Sequence, residues 1–387
     1  MSRANTCIVA VGYNRPDAMG RLLNSLQRAD YQGDRVDLVV SIDKGERQAE
    51  IVEIAERFGW EHGEKTVRAF PQRQGLKSHI LQCGDYAFEY GAVVVLEDDI
   101  TVSESFYNYV RQAVSFYSND PRIGGISLYK HCMNVGVQHF FEPQYNGYDA
   151  FLMQYAQSWG ECWTTKMWSG FREWIADKSE DYFDSGRVDR DLFPDNILSW
   201  GKHSWMKFFM AYLVEKDLYF VYPHHALSTN NAEVGQHNSI AVNDCQVALS
   251  LGNITYRFPA FAEAVKYDIF FERVDLSVPR YADRRVILDL YGNKKKFSDG
   301  DVLVSSTARP YAVLATWKLK YRPQEVNCLY PEEGTGLFVY DLHTPARRPD
   351  AFNRNIRTKY DIRAIPGKEI LQMGLYALKT KILKKRR

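Results

Sequence analysis

The sequence predicts an α/β fold in which a mostly parallel sheet carries helices on both faces. Strand-like and helix-like segments alternate through the first 130 residues. The strand-like segments are continuously apolar, which is typical of parallel strands buried on both sides. Beyond that point the regular alternation stops, and short β-prone runs bounded by turn residues appear after residue 268. We therefore expect a main domain followed by a smaller β-containing region.

The first predicted elements alternate as β-α-β-α-β-α-β. Apolar residues keep helical spacing after Pro16, a residue suited to the first turn of a helix. The predicted segments are the strands 7–11, 36–42, 66–69 and 92–96, a helix containing Met19, Leu22, Leu23 and Leu26, and the helices 48–58 and 76–88. A helix at 103–117 and a strand at 123–128 follow. In open sheets of this kind, ligands bind at the carboxyl ends of the strands.

The composition indicates a folded, soluble chain. No apolar stretch approaches the ~20 residues of a membrane span. A formal net charge of +1 provides no general attraction to nucleic acid. Six cysteines are scattered without a C-x-x-C pair, and the N-terminus shows no charged-then-apolar leader. We expect a protein of the reducing cytoplasm.

Three consecutive carboxylates, Glu97, Asp98 and Asp99, directly follow the predicted strand 92–96. Their mutual repulsion has to be relieved by solvent, by protonation or by a cation. Magnesium and manganese prefer oxygen ligands and typically take one or two carboxylates together with substrate phosphates. This acidic triplet is therefore a candidate site for Mn²⁺ or Mg²⁺ and a diphosphate. A solvated acidic turn is the alternative.

Four short segments lie at or near the ends of predicted strands. They are Tyr13-Asn14-Arg15-Pro16, Ser41-Ile42-Asp43-Lys44-Gly45, Gln74-Gly75-Leu76-Lys77 and Val94-Val95-Leu96-Glu97-Asp98-Asp99-Ile100. Their order and spacing resemble GT-A-fold glycosyltransferases, most closely family-2-like bacterial enzymes related to the N-acetylglucosaminyltransferase I type. The resemblance covers about residues 5–130. Each segment alone is weak evidence, whereas the combination is specific.

The resemblance implies a GT-A, Rossmann-like domain over residues 1–265. Its halves, 1–130 and 131–265, would hold the nucleotide sugar and the acceptor. A small β-rich appendage is expected over 266–365, where β-prone runs lie at 286–290, 301–305, 311–319 and 335–340. Residues 366–387 form a third part, a basic amphipathic helix.

The resemblance also implies roles for single residues of the donor site. Asp99 would be the direct metal ligand. Asp43 would bind the base or ribose, and a helix N-cap is its alternative role. The other candidates are Tyr13 and Arg15 at the nucleotide and its phosphates, Gln74 and Lys77 at the diphosphate and sugar, and Asp98 at the sugar or ribose. For Arg15 and Lys77, ordinary surface charge is the alternative.

A second metal ligand is expected from the C-terminal half of the domain. Residues 233–239 resemble the G-x-H segment of bacterial relatives, which implies that His237 binds the metal. An exposed loop histidine or a phosphate contact is the alternative, because neutral imidazole binds many groups.

Tryptophans mark the acceptor half. Residues 157–163 resemble the Ser-Trp-Gly-x-x-x-Trp segment of bacterial relatives, where aromatic rings shape the wall near the transferred sugar. Because tryptophan is mostly buried in any protein, a core role for Trp159, Trp163 and Trp168 is an equal alternative.

An inverting transferase needs a base for the proton of the acceptor hydroxyl, while the metal stabilises the departing diphosphate. Related enzymes place an aspartate beside a tryptophan just before a long helix, but residues 200–206 contain no carboxylate. His203 lies in that stretch, and its reference pKa near ~6.5 suits a base at neutral pH. Asp195 and Glu161 are the other candidates.

The last twenty residues, 368–387, predict a basic amphipathic helix. Leu371, Leu375, Leu378 and Ile382 recur at steps of four, three and four, and six of the last nine residues are lysine or arginine. Such a helix suits an anionic surface on the inner face of the cytoplasmic membrane. Packing on the protein itself is the alternative. On a membrane, a lipid-linked glycan would be the acceptor.

The sequence thus predicts an inverting, metal-dependent hexosyl- or N-acetylhexosaminyltransferase. It would move a sugar from a nucleotide-diphosphate sugar to a glycan or glycolipid in bacterial surface-polysaccharide assembly. A nucleotidyltransferase is one alternative, although residues 12–16 hold a single glycine where such enzymes usually have a glycine-rich loop. A non-catalytic carbohydrate-binding protein of the same fold is the other.

Overall fold

The computed structural model describes residues 5–231, 245–297, 300–362 and 366–384. Within these residues the chain forms two compact units. The first comprises residues 5–231, 245–275 and 293–296, and the second comprises residues 276–292, 297, 300–362 and 366–384.

The helices and strands of the described residues are as follows. The α-helices are α1 (Pro16–Gln27), α2 (Gln48–Arg57), α3 (Leu76–Gly84), α4 (Tyr86–Tyr90), α5 (Phe106–Tyr117), α6 (Thr165–Ile175), α7 (Asp195–Leu198), α8 (Trp205–Glu215), α9 (Val326–Leu329), α10 (Arg354–Asp361) and α11 (Gly367–Lys384). The strands of the first unit are β1 (Asn5–Gly12), β2 (Asp37–Ile42), β3 (Lys65–Ala69), β4 (Gly91–Glu97), β5 (Ile100–Val102), β6 (Ile123–Ser127), β7 (Met133–Asn134), β8 (His139–Phe140), β9 (Ala150–Met153), β10 (Glu161–Thr164), β11 (Tyr219–Pro223), β12 (Ser228–Asn230), β13 (Lys266–Tyr267) and β14 (Arg273–Val274). Those of the second unit are β15 (Val286–Asp289), β16 (Val302–Ser305), β17 (Tyr311–Lys318) and β18 (Gly336–Pro345).

A ten-stranded sheet with the order β14-β13-β9-β11-β6-β10-β4-β1-β2-β3 forms the centre of the first unit. Strands β3, β2, β1 and β4 are parallel, and β6 and β11 share their direction because β10 is antiparallel to both β4 and β6. The predicted α/β fold with a large, mostly parallel sheet is therefore confirmed. From β1 the chain moves outward to β2 and β3 and then returns to the other side of β1 at β4. Such a reversal creates a crevice at the carboxyl ends of β1 and β4.

Burial explains why these segments become strands and helices. The side chains of residues 7–10 in β1 and 92–96 in β4 are fully buried, as expected for central parallel strands. In α1 the predicted apolar stripe is buried as well, and it consists of Met19, Leu22, Leu23 and Leu26. In this part of the chain, hydrophobic periodicity therefore predicts correctly which side chains are buried.

The predicted helix 76–88 is divided into α3 and α4 at Asp85. A Cβ atom at Gly84 would lie 2.1 Å from the Trp168 ring, so the missing side chain allows that ring to pack against the backbone. The indole N–H of Trp168 donates to the carboxylate of Asp85 at 2.8 Å. Packing from a helix about eighty residues away thus ends α3, and no local signal shows this.

Strands β9 and β10 lie in the aromatic stretch where the sequence predicts no regular alternation. All four residues of β10 are buried, and the strand is inserted antiparallel between β4 and β6. A short strand that is buried on both faces has no alternating pattern, which is why periodicity does not reveal it.

The second unit contains a four-stranded sheet with the order β15-β16-β18-β17. Alternate residues of β16 enter different clusters, because successive side chains of a strand point to opposite faces. Val302 and Val304 pack with Trp317, whereas Leu303 packs with Phe338. Both faces of this sheet are therefore covered by apolar side chains.

Candidate active site

The crevice between β1 and β4 brings together three of the predicted donor-site residues. The two strands are adjacent and parallel, so the loops that follow them start side by side. Arg15, in the loop after β1, donates from Nη2 to Asp98 and from Nη1 to Asp99 Oδ2, the latter at 3.3 Å. The backbone N–H of Tyr13 also donates to Asp98. One guanidinium group thus bridges two carboxylates at this edge of the sheet.

The acidic triplet carries more negative charge than Arg15 balances. Burial, followed by repulsion from Asp99 and Asp98, raises the pKa of Glu97 to about 8. Burial also raises the pKa of Asp98 to about 6, although the charge and hydrogen bond of Arg15 favour its ionised form. Each shift means that an additional positive charge at this site would be stabilising.

Asp99 has one carboxylate oxygen with no partner. Its Oδ2 accepts from Arg15, whereas Oδ1 is buried and makes no hydrogen bond within the described residues. A buried carboxylate oxygen without a partner is costly, and contact with a cation would satisfy it. Magnesium and manganese bind through one or two carboxylates and complete their shell with water and phosphate. The site therefore fits such an ion.

The remaining ligands would come from outside the described side chains. No group of three or more His, Cys, Asp or Glu residues with metal-binding geometry exists in the part of the chain that the structure describes. Water and substrate phosphates would have to complete the shell around an ion at Asp99. A metal site of this kind depends on the substrate.

Asn231 holds the backbone at Asp99. Its backbone N–H and its side-chain Nδ2 both donate to the carbonyl oxygen of Asp99, at 2.8 and 3.1 Å. This contact continues the antiparallel pairing of β5 with β12. The sequence carries no local signal for the role of Asn231, since the contact joins residues about 130 positions apart. His237, the predicted second ligand, follows six positions later and lies outside the described residues.

The carboxylate of Asp43 accepts hydrogen bonds from the protein's own backbone. Oδ1 accepts from the backbone N–H groups of Lys44 and Gln74, at 2.8 and 2.7 Å, and Oδ2 accepts from the N–H of Gly75 at 3.0 Å. Gly75 has a φ of +75°, a conformation that favours glycine. Asp43 thus fixes the loop that leads into α3. It acts at the N-terminus of α3 and not at that of α2, the helix that follows it in sequence.

The ammonium group of Lys77 lies against a ring of α8. Its Nζ is 3.6 Å from the centroid of the Phe208 ring. Burial lowers the pKa of Lys77, and the charge of Glu180 opposes this effect. The side chain of Gln74 is also engaged locally, since its Oε1 accepts from Gln82 and its Nε2 donates to the carbonyl of Gln72.

The buried His79 supports the end of β2 next to Asp43. Its Nε2 is 2.8 Å from the hydroxyl oxygen of Ser41, and its ring packs edge-on against Phe70. Burial lowers the pKa of His79 to about 4, and the nearby charge of Asp43 opposes this shift. Folding therefore favours a neutral imidazole at this position.

Replacing His79 by glutamine is expected to flatten the dependence of stability on pH between about pH 4 and pH 6.5. In this window the unfolded chain binds a proton that the folded chain excludes, so stability rises with pH. The substitution removes about 3 kcal/mol of that rise. Urea denaturation across the window measures it. Ser41→Ala leaves the imidazole buried and should keep the slope, and an unchanged slope in His79→Gln would contradict the prediction.

The three candidates for the catalytic base occupy different surroundings. His203 is exposed just before α8, and its Nδ1 lies 3.0 Å from Glu180 Oε1. Asp195 is exposed at the start of α7 and forms an ion pair with Lys295. Neither residue has a described contact with the acidic triplet.

Glu161 is fully buried in β10, opposite Val95 of β4. Burial, together with repulsion from Glu97 and Asp99, raises the pKa of Glu161 well above its usual range, and the Gly160 N–H offsets only part of this rise. Neither carboxylate oxygen makes a hydrogen bond of ordinary geometry within the described residues. Of the three candidates, Glu161 is thus the one whose charge acts directly on the triplet.

The three tryptophans of the acceptor half divide between core and surface. Trp163 and Trp168 are fully buried, so the core role holds for them. Trp159 is half-buried, and the Gln157 Oε1 accepts its backbone N–H at 3.0 Å. Gln157 in turn contacts the buried His131 through Nε2 at 3.2 Å. These two polar residues position the turn that carries Trp159, and no local sequence signal marks His131 for this role.

Neither a protein-family model nor a curated protein matches this sequence. Among solved structures, the chain is similar to the mannosyltransferase PcManGT from Pyrobaculum calidifontis in complex with GDP-Man and Mn²⁺. The identity is 14% over 45% of this chain and 47% of that chain, with a TM-score of 0.31.

The chain is also similar to S. aureus TarS 1–349 in complex with UDP-GlcNAc, with 14% identity, 60% of each chain covered and a TM-score of 0.37. For the longer S. aureus TarS the identity is 13%, over 58% of this chain and 36% of that chain, with a TM-score of 0.33. The chain covers less than two thirds of the length of each of these structures.

Proposed function

We propose that this protein is an inverting glycosyltransferase that moves a sugar from a nucleotide-diphosphate sugar to a hydroxyl group. The observation that carries the proposal is the cluster of Arg15, Asp98 and Asp99 in the crevice between β1 and β4, with one buried Asp99 oxygen unsatisfied. A guanidinium group suits phosphate oxygens, and a carboxylate suits a divalent cation. A metal-bound diphosphate presents both partners. The sequence resemblance to GT-A-fold enzymes supports the same assignment.

Asp99 and His237 would hold Mn²⁺ or Mg²⁺, and the ion would stabilise the charge of the departing diphosphate. Asp98 would contact the sugar or ribose. The backbone around Tyr13 and the Arg15 guanidinium would face the nucleotide and its phosphates. Asp43 would contribute by fixing the loop that starts at Gln74, because its carboxylate is largely used by backbone N–H groups. Lys77 would complete the wall of the site near α8.

We place Glu161 first among the candidates for the base. It would accept the proton of the acceptor hydroxyl as that oxygen attacks the anomeric carbon and the bond to the diphosphate oxygen breaks, with inversion. Burial and repulsion from Glu97 and Asp99 raise the pKa of Glu161, and a divalent cation at Asp99 would lower it again and favour the ionised carboxylate that a general base needs. His203 and Asp195 remain second choices, since both are exposed and paired with Glu180 and Lys295.

The acceptor would be a glycan or a lipid-linked glycan of bacterial surface-polysaccharide assembly, used at the inner face of the cytoplasmic membrane. Trp159 supports a carbohydrate acceptor, because it is not fully buried, unlike Trp163 and Trp168, and lies on the turn that leads into β10. The transferred group would be a hexose or an N-acetylhexosamine.

A thermal-shift series with UDP and GDP, each with and without Mn²⁺, tests the donor site. Ligand binding raises apparent stability by mass action, so we expect a shift that needs both the nucleotide and the metal. Release of nucleoside diphosphate from UDP- or GDP-sugars then tests for chemistry. A protein that only binds carbohydrate would release none, and a nucleotidyltransferase would instead release pyrophosphate from a nucleoside triphosphate and a sugar phosphate. No shift with any nucleotide would disprove the proposal.

A further inference from the structure

Helix α11 exposes a row of large apolar side chains. Leu371, Leu375 and Leu378 are 64%, 51% and 59% exposed, and their spacing of four and three residues places them on one face of the helix. Met373 and Tyr376 are exposed as well, on other sides of the helix. Soluble proteins seldom leave a row of three leucines exposed on one face of a helix. This leucine face (Leu371, Leu375 and Leu378) therefore needs a partner.

The charge of the chain is concentrated in the same region. Residues 345–387 contain thirteen lysines and arginines but only three acidic residues, a net charge of +10. Since the whole chain carries +1, residues 1–344 carry −9. On α11 itself, the exposed Lys368 and Lys379 accompany the leucine face. A partner of the leucine face must therefore be apolar and negatively charged.

We propose that α11 binds the surface of an anionic lipid bilayer, with the leucine face in the acyl-chain boundary and the basic residues at the headgroups. A helix with an apolar face and lysines beside it lies along such an interface. No helix among the described residues is both long and apolar enough to cross a bilayer.

The charge and the apolar face of α11 together favour a bilayer over two other possible partners. A second copy of the chain would bring two strongly basic segments together in a symmetric dimer, where like charges repel. A nucleic acid would neutralise the basic residues but would leave the leucine face in water. An anionic bilayer satisfies both features of α11. Binding would hold the whole chain at the membrane. Helix α11 would bind the bilayer whether or not the chain transfers a sugar.

Flotation of the full chain with lipid vesicles tests the inference without nucleotide or acceptor. We expect the chain to float with vesicles of phosphatidylcholine and phosphatidylglycerol but not with phosphatidylcholine alone, and added salt should weaken the binding. Leu371→Asp should lower the partition coefficient about 100-fold, since it removes a buried leucine and buries a charge. Gln372→Asp adds the same charge at the next position, and should lower it about fivefold at most.

Several results would overturn the inference. One is the absence of flotation with either vesicle, and another is equal loss in Leu371→Asp and Gln372→Asp. A third is a dimer in sedimentation without vesicles that Leu371→Asp converts to a monomer, because a second copy would then cover the leucine face. A clear fall in melting temperature for Leu371→Asp alone would show that α11 packs on its own protein. Nucleotide binding by the variants is measured in parallel and reports on the donor site separately.

Discussion

Replacing Asp99 by asparagine is expected to lower kcat/KM for the hydrolysis of the nucleotide sugar about 10³-fold, because a metal ion contributes several kcal/mol to the stabilisation of the leaving group. The amide has the size of the carboxylate but lacks its charge. The Mn²⁺-dependent thermal shift with nucleoside diphosphate should disappear as well. Release of nucleoside diphosphate over a series of manganese concentrations measures the first effect.

Asp17→Asn is the matched control for this prediction. Asp17 is exposed in the first turn of α1, close in sequence to Arg15, but forms no part of the proposed site. It should keep activity within about twofold, as surface substitutions usually do. Asp99→Asn should also fold at least as well as the parent chain, since it reduces the repulsion within the acidic triplet. Full activity of a folded Asp99→Asn variant would contradict the proposed metal site.

Replacing Glu161 by glutamine is expected to lower the rate of sugar transfer by about 10² to 10⁴, the usual contribution of a general base. Glutamine fills the same buried space in β10 but cannot accept a proton. Binding of nucleoside diphosphate with Mn²⁺ should remain, because the donor-site side chains are unchanged. Single-turnover transfer to an acceptor glycan, with nucleotide binding measured in parallel, separates the two effects.

The stability of the same variant provides an independent check. Because burial and repulsion raise the pKa of Glu161, the folded chain holds a proton that the unfolded chain releases above about pH 4.5. The stability of the parent chain therefore falls as pH rises above about 4.5, and Glu161→Gln should be more stable than the parent chain near pH 8 but not near pH 4. Urea denaturation without added metal measures this difference.

His203→Gln and Asp195→Asn are the comparison variants. Both side chains are exposed, and each should keep transfer within about threefold if Glu161 is the base. A large loss of transfer in His203→Gln, with normal transfer in Glu161→Gln, would move the role to His203. In that case the buried carboxylate would affect stability alone.

Much of the donor side is readable from the sequence because its signals are local. The alternation of apolar strands with amphipathic helices predicts β1 to β4, and the acidic triplet follows β4 without interruption. Since parallel neighbours end at the same edge, the loop with Arg15 and the loop with Asp99 are expected to meet, and the structure shows that they do. Each step needs only the period of the pattern and the direction of the strands.

Other features depend on contacts between distant parts of the chain. From its sequence context, Asp43 is predicted to contact the nucleotide or to cap a helix. In the structure its carboxylate accepts hydrogen bonds from the backbone N–H groups of residues 74 and 75. Lys77 is in a motif of the donor site, yet its ammonium group lies on the ring of Phe208. In both cases the partner is set by packing of elements that are far apart in sequence.

By itself, the sequence determined the α/β class, the position of the acidic triplet at a strand end and the amphipathic pattern of residues 368–387. Only the tertiary structure decided that Glu161, from an unpredicted antiparallel strand, lies buried beside β4 and acts on Glu97 and Asp99. The reason is physical. Periodicity and turn chemistry act over a few residues, whereas the pKa of a buried carboxylate depends on neighbours that only the folded sheet brings together.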